Sequence, residues 1–530
     1  MVCFCEVDTA NEHRSRPFMP IVCREIAKTR VGNVTIDPRT PVLVGQAQVA
    51  QHEETIANAR GPIELMAQAV SEAAVDAGIA KLGNASVIRV IRSLSTREQN
   101  PARSIARALG ISANRYAYTP HGGNLPQTLV NTSALEIQRG DADLIILTGG
   151  EATRSRRRAR NAEQNLAWMS ASAQSEGDDA PEIDGEELVM NHEIELGLKI
   201  MLPIEIYPMF ETAIRFSKQR TISEHQQEIS ELWSRFSSVA KSNPHAWLRN
   251  EYSAEEIRTP SASNRMIGFP YTKLMNSNND VDMAAALIMC SAEKAQALGV
   301  PRDKWVFPHA GTDCHEHNFV SHRHSFTDTP AIRLGGQRVL QLADTTLDDI
   351  SFVDLYSCFP SAVQLGAHSL GLSLQRQLTI TGGLPFAGGP FNNYVMHAIA
   401  TTMEKVRSQP QEKGFVWANG GYATKHSFGV YGATPPPNGF KHDSPQDQVD
   451  ALPKREVTPT ADAAGPATIE AYSVMHDRSG KPETIRAAVL LANGSRAWCV
   501  SNDTNLGAEM CTTEWVGKPV AIDAAGQLRA

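Results

Sequence analysis

The sequence lacks several features that would assign its class at once. Its eight cysteines are scattered and form no C-x-x-C pair, which argues against a disulfide framework or a zinc ribbon and favours a reducing compartment. No apolar run approaches the roughly 18 residues of a membrane-spanning helix. The first residues are too polar for a secretory signal, and the final Gln-Leu-Arg-Ala is not an SKL-type peroxisomal address. We therefore expect a cytoplasmic protein without a membrane partner, and a peroxisomal location is left open.

A strong charge of either sign is also missing. The net charge of −8 over 530 residues gives no reason to expect a nucleic-acid partner. Because this length exceeds what one hydrophobic core supports, we expect about two to four compact units.

The most informative segment spans residues 121–153, HGGNLPQTLVNTSALEIQRGDADLIILTGGEAT. It predicts a Gly-Gly turn, then a helix opened by Asn124 and Pro126, then a buried strand over Leu144–Thr148, and a second turn at Gly149-Gly150. Asn caps helices well, and Pro is tolerated in the first helical turn because its missing N–H would have no partner there.

The first of these turns, Gly122-Gly123, has the setting of a reactive centre. Free N–H groups and the positive end of the helix would suit a nucleophile or an oxyanion. The turn contains neither Cys nor Ser, so the usual reactive atom is absent.

The same unit occurs a second time in residues 382–424. The first copy ends LIILTGGEAT and the second ends FVWANGGYAT, each after a Gly-Gly turn and a helix. Matched ends around a matched helix favour an internal duplication. The alternative is two unrelated βα units of a large α/β protein.

These residues resemble the thiolase superfamily, through the duplicated halves, the segment GDADLIILTGGEA after a helix, and VDMAAALIMCSAEKAQALGVP at residues 281–301. The resemblance covers residues 40–435. It implies an α/β fold in five layers, made of two similar mixed-sheet halves with a loop domain, and a coenzyme A thioester as substrate. The positions that correspond to the family's catalytic motifs have changed: Gly123 stands for the nucleophilic Cys, Tyr356-Ser357-Cys358-Phe359 for His-Asp-Cys-Phe, Gly388-Gly389-Pro390 for Gly-His-Pro, and Asn419-Gly420-Gly421 for the late Cys-x-Gly.

On this basis we divide the chain into an N-terminal arm (1–38), a first half (39–330) with a loop domain at about 151–268, a second half (331–433), a linker (434–458) and a C-terminal domain (459–530). The last domain is alternating and β-rich, with hairpin signals at 478–481 and 492–494. Its five or so expected strands predict a small all-β OB-like barrel. It resembles the separate OB-fold partner of some thiolase-superfamily enzymes, including steroid side-chain aldolases.

The missing nucleophile limits the chemistry. Thiolysis needs a thiolate to hold the acyl group, and Gly123 cannot hold one. Cys358 matches a motif Cys that acts as acid or base in the family, and a buried core Cys is the alternative. Cys290 lies in a predicted apolar helix and is interpreted as a core residue.

Tyr356 suggests another reaction. The resemblance extends to thiolase-fold steroid aldolases, which place a Tyr where the motif His stood and use it as acid or base on a β-hydroxyacyl thioester. Retro-aldol cleavage needs an oxyanion hole and no nucleophile, and the amides of Gly122, Gly123 and Asn124 with the Asn419 side chain are the expected donors. The alternative is that Tyr356 packs in a core. The aldolases' second catalytic Tyr corresponds to Gly389. Tyr394 and His397 lie one and two helical turns further on, near the same face, from which they could reach the pocket, and Tyr394 is a further catalytic candidate.

Each of the remaining polar candidates has a functional and a structural interpretation. Tyr422, Lys425 and His426 follow the second Gly-Gly, where Lys425 or His426 could act as acid or base, or the loop could be solvated. Arg154, Arg157 and Arg158 open the loop domain and could bind the coenzyme A phosphates, although charge runs are usually solvated helix faces. Histidines at 315, 317, 322 and 324 alternate on a crossover segment, which we interpret as a polar loop or pocket lining rather than a metal site.

Three functions stay open. The first is an acyl-CoA aldolase or other carbon–carbon lyase that forms no acyl-cysteine. The second is an atypical acyl-CoA C-acyltransferase that uses Cys358, and the third is a silent CoA-thioester-binding protein. Thiolases usually dimerise through the sheet edge of the first half, so we expect a homodimer, although a monomer is also compatible with the fused tail. Coenzyme A is the expected cofactor, bound as the substrate thioester, and no metal is expected.

Overall fold

The computed structural model describes residues 29–31, 34–170 and 179–530. The predicted N-terminal arm, with Cys3 and Cys5, lies largely outside these ranges. The strands are β1 (Thr29–Val31), β2 (Val34–Ile36), β3 (Pro41–Ala50), β4 (Ala85–Val90), β5 (Ala113–Tyr118), β6 (Leu144–Ala152), β7 (Glu182–Ile183), β8 (Met266–Phe269), β9 (Tyr271–Thr272), β10 (Asp282–Ser291), β11 (Phe307–His315), β12 (Ile350–Leu355), β13 (Lys413–Gly420), β14 (Lys425–Gly432), β15 (Lys441–Asp443), β16 (Gly465–His476), β17 (Pro482–Leu491), β18 (Arg496–Ser501), β19 (Pro519–Ile522) and β20 (Leu528–Arg529).

The helices alternate with strands through most of the chain. They are α1 (Pro62–Asp76), α2 (Pro101–Leu109), α3 (Leu125–Arg139), α4 (Thr153–Asn161), α5 (Ala167–Ser170), α6 (Glu193–Gly197), α7 (Pro203–Ser217), α8 (Ile222–Ser242), α9 (Ala254–Arg258), α10 (Ala292–Ala297), α11 (Pro330–Leu342), α12 (Pro360–Leu370), α13 (Gly383–Phe386), α14 (Tyr394–Ser408), α15 (Gln446–Asp450) and α16 (Thr504–Met510). None of them, within the described ranges, is long and apolar enough to cross a bilayer.

Two sheets share one strand pattern. Sheet 1 has the order β3-β10-β6-β4-β5-β7, and sheet 2 has the order β11-β14-β13-β12, with β15 added beside β11. In both sheets the first three strands of this pattern pair antiparallel, and the third pairs parallel with the fourth. The correspondence of β3, β10, β6 and β4 with β11, β14, β13 and β12 confirms the duplicated α/β architecture.

Helices separate the sheets into five layers. α3 and α14 lie between them, because both contact β3 and β10 of sheet 1 and β13 of sheet 2. α1 and α2 cover the outer face of sheet 1, and α11 and α12 cover the outer face of sheet 2. This arrangement places the N-terminus of α3 against the ends of β12 and β13, where the site described below is found.

The sequence-based prediction for α3 is confirmed. Asn124 is its N-cap residue, Pro126 lies in its first turn, and Gly140 ends it in the left-handed conformation with φ of 82°. Because Gly lacks a Cβ atom, it adopts that conformation without strain.

Two local predictions were wrong. Gly149 and Gly150 form no turn; they continue β6 and pair with Ala285 and Ala284 of β10. Cys290 lies in that same buried strand and not in a helix, although it is a core residue as expected. A continuous apolar run shows neither helical nor strand periodicity, and its length alone did not distinguish a helix from a strand at Cys290.

The loop domain contains α4–α9 and lies between β6 and β10 along the chain. Its helix α7 packs on β16, and its strand β8 pairs with β16 through Phe269–Val474 and Gly268–Met475. The C-terminal sheet thus includes a strand of the loop domain.

The C-terminal region forms an antiparallel sheet in the order β18-β17-β16-β19-β20. Both hairpin signals are confirmed, since 478–481 joins β16 to β17 and 492–494 joins β17 to β18. The closed OB-like barrel is not found: among the described residues β18 and the chain before β20 meet only at the Val500–Gln527 bridge. Part of the predicted linker is regular, because β15 pairs in parallel with β11.

Candidate active site

The turn before α3 presents two free amides. The N–H of Gly122 donates to Asn392 Oδ1 at 3.1 Å, so the expectation that this amide is free was wrong. Across the described chain, the amides of Gly123 and Asn124 donate no hydrogen bond. Both point out of the N-terminus of a 15-residue helix, whose dipole favours negative charge there.

The hydroxyl of Tyr356 lies directly over this turn. Tyr356 follows β12, and a Cβ atom built on Gly123 would lie 2.7 Å from Tyr356 Oη and 2.5 Å from the carbonyl oxygen of Asn419. A residue with a side chain at position 123 would therefore overlap the phenol. Tyr356 is 8% exposed, and burial raises the pKa of its hydroxyl well above the ordinary value. The phenol is consequently neutral and can donate a proton.

Tyr207 of the loop domain is a site residue that the sequence did not reveal. Its hydroxyl accepts from Asn419 Nδ2 at 3.0 Å and from the Ala423 amide at 2.9 Å, and it donates to the Gly421 carbonyl at 3.0 Å. One of the two Nδ2 hydrogens of Asn419 is therefore bonded to Tyr207, and the Asn419 Oδ1 atom is buried without a hydrogen-bond partner in the described structure. No local pattern marks Tyr207, which lies in an ordinary buried face of α7.

Cys358 lies beside the same hydroxyl. Its thiol is within hydrogen-bonding reach of Tyr207, and burial raises its pKa to about 12. A thiol with this pKa is protonated at neutral pH, which does not favour it as a nucleophile.

Tyr394 packs against the ring of Tyr356. Its hydroxyl bonds Asp354 Oδ1 at 3.0 Å and Thr381 Oγ1 at 2.6 Å, so it is held in a buried polar network. Its ring packs edge-on against Tyr356, with the centroids 5.7 Å apart. The expectation that the Tyr394 hydroxyl reaches the pocket is therefore wrong. His397 is likewise buried, with Nδ1 at 3.1 Å from Gln48 Oε1.

Gly389 also lacks room for a side chain. A Cβ atom there would lie 2.2 Å from Ser277 Oγ and 2.9 Å from Asn279 Oδ1. The loop that contains Asn278 and Asn279 thus fills the space that a His or Tyr at this position would need.

The segment after the second Gly-Gly is buried, which rules out the solvated-loop alternative. Tyr422, Lys425 and His426 are 5%, 4% and 1% exposed. Trp417 Nε1 donates to His426 Nδ1 at 3.3 Å, and burial lowers the pKa of His426 well below its ordinary value. His426 thus packs as a neutral ring against Trp417, whereas the Lys425 ammonium donates to the carbonyl of His121 beside the Gly-Gly turn.

The three candidate arginines of α4, Arg154, Arg157 and Arg158, are ion-paired within the chain. Arg154 and Arg158 bond the carbonyl oxygen of Glu53 and the side chain of Glu54. Arg157 forms a two-pronged pair with Asp280 at 2.6 and 2.7 Å, and about half of its side chain is exposed.

The loop domain covers the site. Glu187 accepts from the His121 amide, Met190 lies against Gly421, and the Tyr422 hydroxyl bonds Asn191 at 3.2 Å. The region that the structure describes has no group of three or more His, Cys, Asp or Glu side chains arranged to hold a metal ion.

Comparisons with known proteins agree with this architecture. Residues 445–527 match the family model of the thiolase-like protein type 1 additional C-terminal domain. The chain is 29% identical to a monomeric SCP2-thiolase-like protein type 1 from Mycobacterium smegmatis, with a TM-score of 0.77 over 93% of this chain and 99% of that one. A comparison with curated protein sequences gave no significant match.

Two further structures share the fold at lower identity. An Ltp2-ChsH2(DUF35) aldolase is 17% identical, with a TM-score of 0.54 over 74% of this chain and 98% of that one. An acetyl-CoA acetyltransferase from Syntrophomonas wolfei is 15% identical, with a TM-score of 0.52 over 74% and 99%. Together with the five-layered duplication, these matches show that the chain has the thiolase fold and that its C-terminal region is similar to the additional C-terminal domain of thiolase-like protein type 1.

Proposed function

We propose that this protein acts on acyl-CoA thioesters and cleaves, or in reverse forms, the Cα–Cβ bond of a β-hydroxyacyl thioester without an acyl-cysteine intermediate. One observation supports this proposal above all. The Tyr356 hydroxyl occupies the space over Gly123 in which a nucleophilic side chain would have to stand. The site therefore offers an acid where thiolysis would need a thiolate.

The roles follow from the protonation states. The amides of Gly123 and Asn124 would bind the thioester oxygen and stabilise the negative charge of the enolate. Tyr356, neutral because burial raises its pKa, would protonate the α-carbon of that enolate. Cys358 is less suited to an acyltransferase role, since a thiol with a pKa of about 12 requires a strong base to ionise.

We propose that coenzyme A enters as the substrate thioester and that α4 contacts its phosphates. Arg157 is the best placed of the three arginines, because its exposed two-pronged contact to Asp280 has the geometry that a phosphate also uses. Arg154 and Arg158 would have to exchange their contacts to Glu53 and Glu54.

The test is Tyr356→Phe on the β-hydroxyacyl-CoA that the wild-type protein cleaves fastest. Loss of a well-placed acid typically costs about 10²–10⁴-fold in rate, so turnover should fall at least about a hundredfold with thioester binding little changed. Tyr431→Phe is the matched control: Tyr431 is also buried, but its hydroxyl bonds Gln127. Near-full turnover in Tyr356→Phe would show that Tyr356 only packs.

A further inference from the structure

Lys425 is a buried lysine at the edge of the candidate site. It begins β14, and its ammonium nitrogen would lie 3.1 Å from a Cβ atom built on Gly122. Its hydrogen bond goes to a backbone carbonyl, that of His121. Within the described ranges this ammonium forms no ion pair within 4.0 Å, and Glu187 is the acid that acts on its charge.

One acidic and one basic side chain interact with Lys425. Glu187 of the loop domain favours its charged form, and His121 is the basic group coupled to it. Burial is the largest effect and lowers the pKa of the Lys425 ammonium. A lysine that loses its proton in such a setting is a base, since the neutral amine has a lone pair.

Lys425 and Tyr356 flank adjacent residues of one turn. The amine lies against Gly122, and the phenol lies against Gly123. Between the two residues are the free amides and the Asn124 Oδ1 atom, which is buried without a hydrogen-bond partner in the described structure. A polar ligand on this turn would therefore contact the base, the acid and the amides together.

We propose that Lys425 is the general base of the site, which pairs with Tyr356 and selects thioesters that have a β-hydroxyl group. This inference rests on the proposed function. The Lys425 amine takes the β-hydroxyl proton, the C–O bond becomes a carbonyl, and the Cα–Cβ bond breaks with its electron pair moving into the thioester enolate. The α-carbon then takes the Tyr356 proton, and the Lys425 ammonium returns its proton to the phenolate. The products are an aldehyde or ketone and a shortened acyl-CoA, with no oxidant or reductant required.

The first test needs no substrate. We expect competitive labelling of the intact protein with trace acetic anhydride, read by peptide mass spectrometry across pH, to give Lys425 a midpoint well below that of Lys413. Lys413 is the control because its amine bonds only the Thr345 hydroxyl near the start of β13. An equal or higher midpoint would overturn the proposal. Absence of labelling at every pH would do so too, because a thioester is larger than the anhydride.

The second test compares Lys425→Gln, Lys425→Arg and Lys413→Gln. We expect both Lys425 variants to lose at least about a hundredfold in kcat with little change in KM, and Lys413→Gln to match the wild-type protein. Arg keeps the positive charge but does not give up its proton, so it should not rescue a base. Rescue by Lys425→Arg would instead assign an electrostatic role. If no β-hydroxyacyl thioester reacts, the proposed function fails, while the labelling result still decides whether Lys425 is a base.

Discussion

At the scale of single residues, the site is defined by the contact between Gly123 and Tyr356. Gly123 has no side chain, and the Tyr356 phenol occupies the space that a side chain at position 123 would need. Neither residue alone signals the change, because Gly is compatible with a tight turn and Tyr with a core. Only their contact shows that a tyrosine hydroxyl lies where the nucleophile of the family would be.

This contact predicts the outcome of restoring the nucleophile. Gly123→Cys should leave thiolysis of acetoacetyl-CoA negligible, because Tyr356 blocks the thiol and both family histidines are missing. The overpacked side chain should cost about 1–3 kcal/mol in the free energy of unfolding, measured by urea denaturation. Gly83→Cys, where no atom lies within 4 Å of the added Cβ, is the control for a new thiol. Thiolysis at wild-type stability would contradict this account.

Glu316 makes stability depend on pH. Burial raises its pKa from 4.5 to about 7, so the folded protein holds this proton between those values. The free energy of unfolding should therefore fall by about 3 kcal/mol as pH rises through that window and level off above it.

Glu316→Gln should remove this dependence. Urea unfolding at pH 5 and pH 8 should give the variant a clear advantage only at pH 8, while the exposed control Glu293→Gln follows the wild-type protein. A variant that loses stability equally at both pH values would show that the carboxylate is stabilising.

At the scale of elements, the sequence predicted the repeated helices and strands, but not how far each strand extends. The pattern of helix, apolar strand and Gly-Gly predicted α3, β6 and their second-half counterparts α14 and β13. It could not show that Gly149-Gly150 continues a strand, because that depends on pairing with β10, more than 130 residues away.

The site was predictable to the same degree. The motif positions Gly123 and Tyr356 were found, because they lie next to elements with a strong local pattern. Tyr207 and Asn392 were missed, since each reaches the site through long-range packing. The burial of Lys425 and His426 likewise depends on long-range packing, with His121 and Glu187 near Lys425 and Arg323 near His426.

One element suggests a monomer rather than the expected homodimer. β7 pairs with β5 at the edge of sheet 1, and Arg115 ties the two strands through a 2.9 Å contact with Glu182. An edge that is already paired offers fewer free backbone groups to a second chain. We expect sedimentation velocity at micromolar concentration to give a single monomeric species. A stable dimer under those conditions would mean that another surface mediates assembly.

At the scale of the whole molecule, the C-terminal sheet is built into the rest of the chain. Arg496 is fully buried; it pairs with Glu470 at 2.7 Å and donates to the carbonyls of Val320, Ser321 and Arg323. It thus joins the sheet to the crossover segment near the site.

Removing the Arg496 contacts should destabilise the C-terminal sheet together with the rest of the protein. Arg496→Met removes both bonds to Glu470, which keeps only a 4.0 Å contact with Arg455, and removes one donor from each of three carbonyls; this should cost about 3–5 kcal/mol. Calorimetry should show a large fall in Tm, whereas the exposed Arg529→Met, which loses a surface contact to Asp523, should change stability by less than about 1 kcal/mol. A small effect of Arg496→Met would mean that the C-terminal sheet is only loosely coupled.

The central claim is carbon–carbon chemistry on a thioester without an acyl-enzyme. Its most direct test incubates the wild-type protein with a panel of β-hydroxyacyl-CoA and β-ketoacyl-CoA thioesters and records the masses of the products and of the intact protein. We expect a shortened acyl-CoA with a matching aldehyde or ketone from a β-hydroxyacyl-CoA, while the protein mass stays unchanged. An acyl adduct on Cys358, or tight binding without conversion of any panel member, would contradict it.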